Sequence, residues 1–341
     1  MRVRVTLCAL GLAAASSTGA RSAKVEPSPK PPLYHHEATR LSMACVYAID
    51  AYGPDAAALP RIVDAAFDEV DRIDRLMSHY KPDSPLSRLN REAGRRPVAV
   101  EPELFAFIAE AMRYNRESGG AFDITVGPLM KAWGFFGGDG RVPSNDELAA
   151  ARRHVGSAHV VLNPVEKTIA FDEPGVELDL GGIAKGYAVD RAVGILKQAQ
   201  IAAALVSAGG STIFGLGAPP GRDGWDVKIE DPIDSRKTAL TVILKDRAVS
   251  VAGRSEKSFE SGGVRYSHIM DPRTGRPVQG VLTVAVLAGT GTAGDALDEA
   301  FFVMGTERSR AYLSKLTGTE AFFFLPEAHQ AWRIVHRHGR R

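Results

Sequence analysis

Apolar positions recur at helical spacing over 60–77, where Ile62, Ala66, Val70, Ile73 and Met77 share one face and aspartates and arginines fill the other. The pattern predicts a long amphipathic helix. Leu104, Ile108 and Ala111 predict a second helix over 102–118, stopped by Gly119-Gly120. Ser144, with Glu147 three residues on, carries the capping-box signature of a third, short helix. Apolar runs bounded by turn residues predict a strand at about 41–52, ending in Gly53-Pro54, and strands between 160 and 179. Further strands are expected near 203–207, 225–230, 238–244, 248–251 and 282–288, with a hairpin turning at Gly262-Gly263. Helices are expected at 183–198, 293–304 and 307–316, and a closing hairpin pairs 321–325 with 332–336. Strands and helices come in blocks, without a fixed repeat and without a Gly-x-Gly-x-x-Gly after a strand. The chain reads as an α+β domain, two-lobed, with mixed sheets and packed helices.

The two ends break this pattern. Arg2 and Arg4 precede an apolar run from Val5 to about Ala15, followed by Thr18-Gly19-Ala20. Residues 1–20 therefore read as a signal peptide, too short to span a bilayer comfortably. An exported, periplasmic location is expected, with an uncleaved membrane anchor as the alternative. Residues 21–38 read as a proline-rich linker, 39–336 as the folded domain and 337–341 as a basic, solvated tail. Without the first twenty residues, and so without Arg2 and Arg4, the 42 basic residues fall to the number of the 40 acidic ones. A neutral body argues against nucleic acid and leaves membrane contact peripheral at most. Cys8 sits in the signal run, so the mature body keeps Cys45 alone and forms no internal disulfide. The setting Met43-Ala-Cys-Val-Tyr47 reads as a strand carrying a buried structural thiol.

The segment with most chemical content is Glu177-Leu-Asp-Leu-Gly-Gly-Ile-Ala-Lys-Gly-Tyr-Ala-Val-Asp190. It predicts a strand, a Gly-Gly turn and a helix with Lys185 in its first turn. Amides at a helix N-terminus beside glycine and a lysine suit an anion, although an ordinary strand-to-helix connection has the same pattern. Downstream, Asp295, Asp298 and Glu299 stand at i, i+3 and i+4 on one helix face. Acids in a first helical turn are common because they favour the dipole. The alternative is a hard divalent cation, magnesium above all, bridging to phosphates. No His/Cys spacing suits zinc. Asp123, between Phe122 and Ile124, reads either as a turn acceptor or as a group that meets a ligand's N–H donors. His268 reads as structural or as an acid/base group. Tyr80 lies in a polar loop, 78–90, where it could stack on a ring.

Taken in order, the 80–90 loop, Gly120–Pro128, Leu178–Asp190, Gly209-Gly210, 225–232, His268–Gly275 and Asp295–Gly305 resemble the FAD:protein FMN transferase (ApbE) family. The resemblance implies an exported α+β enzyme that binds FAD and Mg2+. It moves FMN onto a threonine or serine hydroxyl of a target protein and releases AMP. By position, it implies that Met43, Tyr80, Ala121, Phe122 and Asp123 contact the flavin and that Asp179 and Lys185 line the same ligand. It also places His268 and Ile269 beside the pyrophosphate or flavin. The metal would take the backbone carbonyl of Gly182, the carboxylate of Asp295, the backbone at Asp298, and Glu299; His268 and Asp295 are the candidate proton acceptors. Two positions depart from the family pattern: Glu299 where threonine is usual, and Val251-Ala252-Gly253 where Thr-Ser-Gly is usual. The competing expectations are magnesium-dependent FAD hydrolysis to FMN and AMP at the same site, and a catalytically weak flavin-binding protein.

Overall fold

The computed structural model describes residues 32–253 and 257–340. The signal-like segment, Cys8, the first part of the proline-rich stretch and Arg341 lie outside the described residues.

β1 (Tyr34–Ser42) and β2 (Cys45–Gly53) open the fold as an antiparallel hairpin. This replaces the single strand expected over 41–52 and moves the start of the folded body from 39 back to Tyr34. The connection is two residues, Met43-Ala44, at φ 49° and 57°. Two-residue hairpin turns require positive φ but usually place Gly or Asn there, so the turn carries no compositional signal. α1 (Leu59–Met77) follows as expected, burying Val63, Ala66, Val70, Ile73 and Met77. α2 (Pro85–Glu92) sits in what reads as a loop; Ser84 caps it by accepting from the Ser87 amide, and Pro85 supplies the first turn.

β3 (Val98–Ala99), α3 (Pro102–Glu117), α4 (Gly127–Ala132) and α5 (Asn145–Arg152) come next, α5 with both arms of the capping box at Ser144 and Glu147 formed. β4 (Val160–Asn163) and β5 (Thr168–Phe171) join β3 in a three-stranded sheet. After α6 (Ala184–Gln198) come β6 (Ala203–Ala208), β7 (Thr212–Leu216), β8 (Trp225–Glu230), β9 (Thr238–Leu244) and β10 (Arg247–Gly253). Short hairpins β11 (Ser258–Ser261)–β12 (Val264–Ser267) and β13 (Met270–Asp271)–β14 (Arg276–Pro277) lead to β15 (Thr283–Ala288). α7 (Gly291–Leu313) merges the two helices expected there, with Gly305 (φ 68°) marking the kink between them. β16 (Glu320–Pro326) and β17 (Trp332–His338) close the chain.

The main sheet runs β1-β2-β6-β7-β10-β15-β16-β17, and every pairing in it is antiparallel. The other named pairs are antiparallel too, so the sheets are antiparallel rather than mixed. α1, α6 and α7 cover one face, and the β8–β9 hairpin covers the other with Trp225, Val227, Ile229 and Leu244. The larger core cluster continues from the helix layer through α3 to Val160 and Ile169 of the small sheet, so the two lobes share one core. The chain end is not a loose tail: Glu320 pairs with His338, and the Arg340 guanidinium donates to the Ser314 carbonyl at 2.9 Å. Among the described residues, no helix is long and apolar enough to cross a membrane.

Candidate active site

A cavity of about 730 Å³ opens between the helix layer and the small-sheet lobe, within the usual size of small-molecule sites. The Met43–Cys45 hairpin tip, the loop after α1, the segment around Asp123, the start of α6 and the acidic turn of α7 all face it.

α7 begins at Gly291, so Asp295, Asp298 and Glu299 lie beyond its first turn, which contains no acid. The helix-dipole explanation for them therefore fails. Its first amides are held otherwise: the Thr290 side chain accepts from Ala293 N at 3.1 Å. Asp190 on α6 accepts from Gly291 N at 2.6 Å and from Thr292 N at 2.8 Å. Asp295 is oriented by three donors. Its Oδ2 accepts from Gly186 N at 2.9 Å, and its Oδ1 from Thr212 Oγ1 at 2.8 Å and Ser250 Oγ at 3.2 Å. Asp298 is fully buried, and burial with the nearby charges of Asp295 and Glu299 pushes its carboxyl well above the usual range. A Cβ on Gly182 would stand 3.0 Å from the Glu299 carboxylate carbon, so glycine keeps this corner open.

The opposite wall is the Leu178–Lys185 segment. Residues 176–180 belong to no helix, strand or sheet. Asn90 takes the role of a partner strand, accepting from Leu178 N and donating to Leu178 O, both at 2.9 Å. The amide cradle expected after Leu180 is largely filled from within the protein. Gly181 N donates to Asp179 Oδ1, Ile183 N and Ala184 N donate to Leu180 O, and Gly186 N donates to Asp295. Positive charge at this wall comes from Lys185, whose Nζ donates to Ser211 Oγ at 2.8 Å. The basic and acidic walls are thus one structure, joined at the Gly186–Asp295 contact.

Toward the other end, Met43 faces the cavity and its Sδ accepts from the Tyr47 hydroxyl at 3.1 Å. Cys45 also lines the cavity and is half-buried, not the buried strand thiol expected. Tyr80 is exposed and stacks on Phe136 with centroids 5.0 Å apart and planes at 12°. Ala121 and Phe122 form buried wall, and Asp123 is a turn acceptor that also lines the cavity: its Oδ1 accepts from Thr125 N (2.8 Å) and Thr125 Oγ1 (2.6 Å). Burial raises its carboxyl above the usual value. His268 opens on the cavity, with Nδ1 3.3 Å from the Lys257 carbonyl. Enclosure by protein, then the Lys185 charge, brings its pKa down to about 4, so the imidazole is neutral near pH 7. Ile269 is the exception among the expected site residues. It is buried in the core and does not line the cavity, and its carbonyl accepts from Val278 N at 2.9 Å.

Three participants are not singled out by the sequence. His79 lines the cavity with Nδ1 3.2 Å from Asp179 Oδ1, and its Nε2 is buried without a hydrogen-bond partner. Thr212 and Ser250 lie behind Asp295, contributed by different strands that only the fold brings together.

The match to the ApbE family model spans residues 43–323. The chain belongs to the ApbE family. It is 38% identical over 265 residues to an FAD:protein FMN transferase of Vibrio cholerae, covering 75% of this chain and 76% of that protein. It is 35% identical over 287 residues to the protein of that name from Treponema pallidum, covering 80% and 79%. Among solved structures, the ApbE protein of Thermotoga maritima superposes with a TM-score of 0.81 at 30% identity, covering 89% of this chain and 97% of that one. The flavin transferase ApbE of Vibrio cholerae superposes at 0.78 and 31% identity, covering 90% and 98%.

Both departures from the ApbE pattern fall on the cavity. Val251 and Ala252 make a stretch of its wall apolar, while the preceding Ser250 keeps its hydroxyl on Asp295. Glu299 places a carboxylate where a hydroxyl is usual. The Gly182 carbonyl, the Asp295 carboxylate, the Asp298 carbonyl and the Glu299 carboxylate are all oxygen donors and suit a hard cation. The carboxylates of Asp295, Asp298 and Glu299 do not bring one oxygen each within 4.8 Å of one another.

Proposed function

We propose that this chain transfers the FMN moiety of FAD to a threonine or serine hydroxyl of an exported target protein, with AMP leaving, in the cavity between Lys185 and Asp295. The observation that carries the reading is the Gly186 N–Asp295 Oδ2 contact of 2.9 Å, which sets a cationic wall and an acidic wall against one ligand-sized space. Phosphoryl-type transfer asks for position and charge neutralisation more than for covalent help from the protein.

Each wall has a part. Lys185 meets the diphosphate as a point charge. Gly182, Asp295, Asp298 and Glu299 would hold Mg2+, which would supply neutralisation of the diphosphate charge. Tyr80, Met43 and Phe122 offer one ring face and two apolar surfaces for the flavin. The acceptor oxygen forms a bond to the FMN phosphorus as the bond from that phosphorus to the AMP oxygen breaks. His268, whose imidazole faces the cavity, takes the hydroxyl proton. Export is part of the proposal and rests on Arg2, Arg4 and the apolar run after them.

The test is incubation of the purified chain with FAD, Mg2+ and a candidate acceptor protein. Covalent flavin fluorescence on the acceptor, with one AMP released per label, is expected. AMP and free FMN without label would make the protein a hydrolase, and tightly held flavin without either product would make it a binding protein.

A further inference from the structure

β17 is the last strand of the main sheet, and His336 and His338 project from the same side of it, two residues apart. In the β16–β17 register Glu320 stands directly opposite His338, and Phe322 opposite His336. The result is a cluster of two imidazoles and a carboxylate whose donor atoms all lie within 4.8 Å of one another. None of the three lines the cavity.

His336 Nε2 is 3.1 Å from Glu320 Oε2, and His338 Nδ1 is 3.9 Å from the same oxygen. A hydrogen bond explains the first distance and not the second. Neutralisation of Glu320 does not explain it either, because Arg247 already donates to Oε1 at 3.1 Å. That contact leaves Oε2 to the histidines and orients the carboxylate, as outer partners of metal ligands do. His336 is oriented too: its ring lies flat on Phe322, with centroids 4.0 Å apart and planes at 11°. Tetrahedral zinc with bonds of about 2.0–2.2 Å spaces its ligands by roughly 3.3–3.6 Å, between the two distances found here.

We propose that Glu320, His336 and His338 form a site for a transition-metal ion of the zinc class, with its remaining coordination open to solvent on the exposed side of His338. Imidazole donors favour such ions over magnesium, so the site is chemically distinct from the oxygen-lined cavity. No zinc spacing is visible in sequence because the third donor is 16 residues from His336 and arrives only through strand pairing. The ion would tie the edge strand β17 to β16.

The full chain, held in excess Mg2+ to occupy the cavity, is dialysed against Zn2+, and bound zinc is counted. One tight zinc per chain and a higher melting temperature are expected. His338→Gln, at an exposed position, should weaken zinc binding at least about tenfold and remove the thermal shift while flavin transfer is unchanged. His336→Gln should do the same. Absence of zinc uptake by the unaltered chain, or equal affinity in His338→Gln, would overturn the site.

Discussion

Thr212→Val removes a single hydroxyl from a fully buried side chain and nearly preserves its shape. The hydroxyl donates to Asp295 Oδ1 at 2.8 Å and lies 2.9 Å from Ser250 Oγ, itself 3.2 Å from the same carboxylate oxygen. After substitution Asp295 keeps Ser250 and the Gly186 amide. The loss is one hydrogen bond to a buried carboxylate, about 1.5–3 kcal/mol of stability. For a chain of this size that lowers the melting temperature by roughly 2–5 °C. The functional effect is separate. Loss of an outer partner of a metal-ligating group typically costs about 10–100-fold in metal affinity. Flavin transfer measured against magnesium concentration should show half-saturation raised by that factor, with most of the rate recovered at saturation. Thr212→Ser keeps the hydroxyl and should restore the magnesium dependence. A folded Thr212→Val protein with a lowered melting temperature and unchanged magnesium half-saturation would refute the view that Thr212 orients a metal ligand through Asp295.

Gly186→Ala would put a Cβ 2.2 Å from the Gly291 carbonyl oxygen and 2.9 Å from Asp295 Cβ, forcing α6 from α7. A loss of about 3 kcal/mol or more in denaturant unfolding is expected, with flavin transfer lost; a neutral effect would mean the helices do not meet as described. Glu299→Thr removes one negative ligand and should weaken magnesium binding about tenfold by calorimetry while flavin is still bound; tighter magnesium binding would contradict a ligand role. In flavin-free protein, imidazole NMR should keep His268 neutral until about pH 4, below the ordinary 6.5. The stability this neutral form contributes is complete above about pH 6.5 and is lost as pH falls toward 4; a midpoint at or above 6.5 would discount the enclosure. Ala44→Gly relieves a positive φ of 57° and should stabilise the chain by about 0.5–1 kcal/mol after the added chain entropy, read as a small rise in melting temperature.

Periodicity made most of the elements legible. α1, α3 and α5 fall where apolar spacing, Gly119-Gly120 and the Ser144–Glu147 box place them. The misses have local causes. The β1–β2 turn is built from Met43 and Ala44, residues that seldom accept positive φ. α2 announces itself only through Ser84-Pro85, which also reads as a turn. In the site, many of the residues that touch the cavity lie in conspicuous glycine and carboxylate clusters, whereas Asp74, Met130 and Lys257 line it without any such signal. The residues that hold them are not conspicuous. Thr212, Ser250 and Asn90 are ordinary polar residues whose roles exist only once β7, β10 and α2 are assembled. Ile269, next to His268 in sequence, is turned into the core and does not line the cavity.

The acidic wall also explains why α6 and α7 cross so closely. Each helix supplies a carboxylate to amides of the other: Asp190 of α6 holds Gly291 and Thr292 N, and Asp295 of α7 holds Gly186 N. Neither bond could form at ordinary interhelical separation, because a Cβ at Gly186 or Gly291 would collide with the facing backbone. The two glycines therefore set the spacing of Lys185 from Asp295, and that spacing is fixed by backbone rather than by flexible side chains. Asp298, buried beside Asp295 and pushed toward its neutral form, lies on the same helix face. A cation in this corner would relieve that repulsion, whereas the crossing itself persists without one, held by the reciprocal carboxylate–amide bonds. The walls are consequently arranged before any diphosphate arrives, as preorganised electrostatic stabilisation requires.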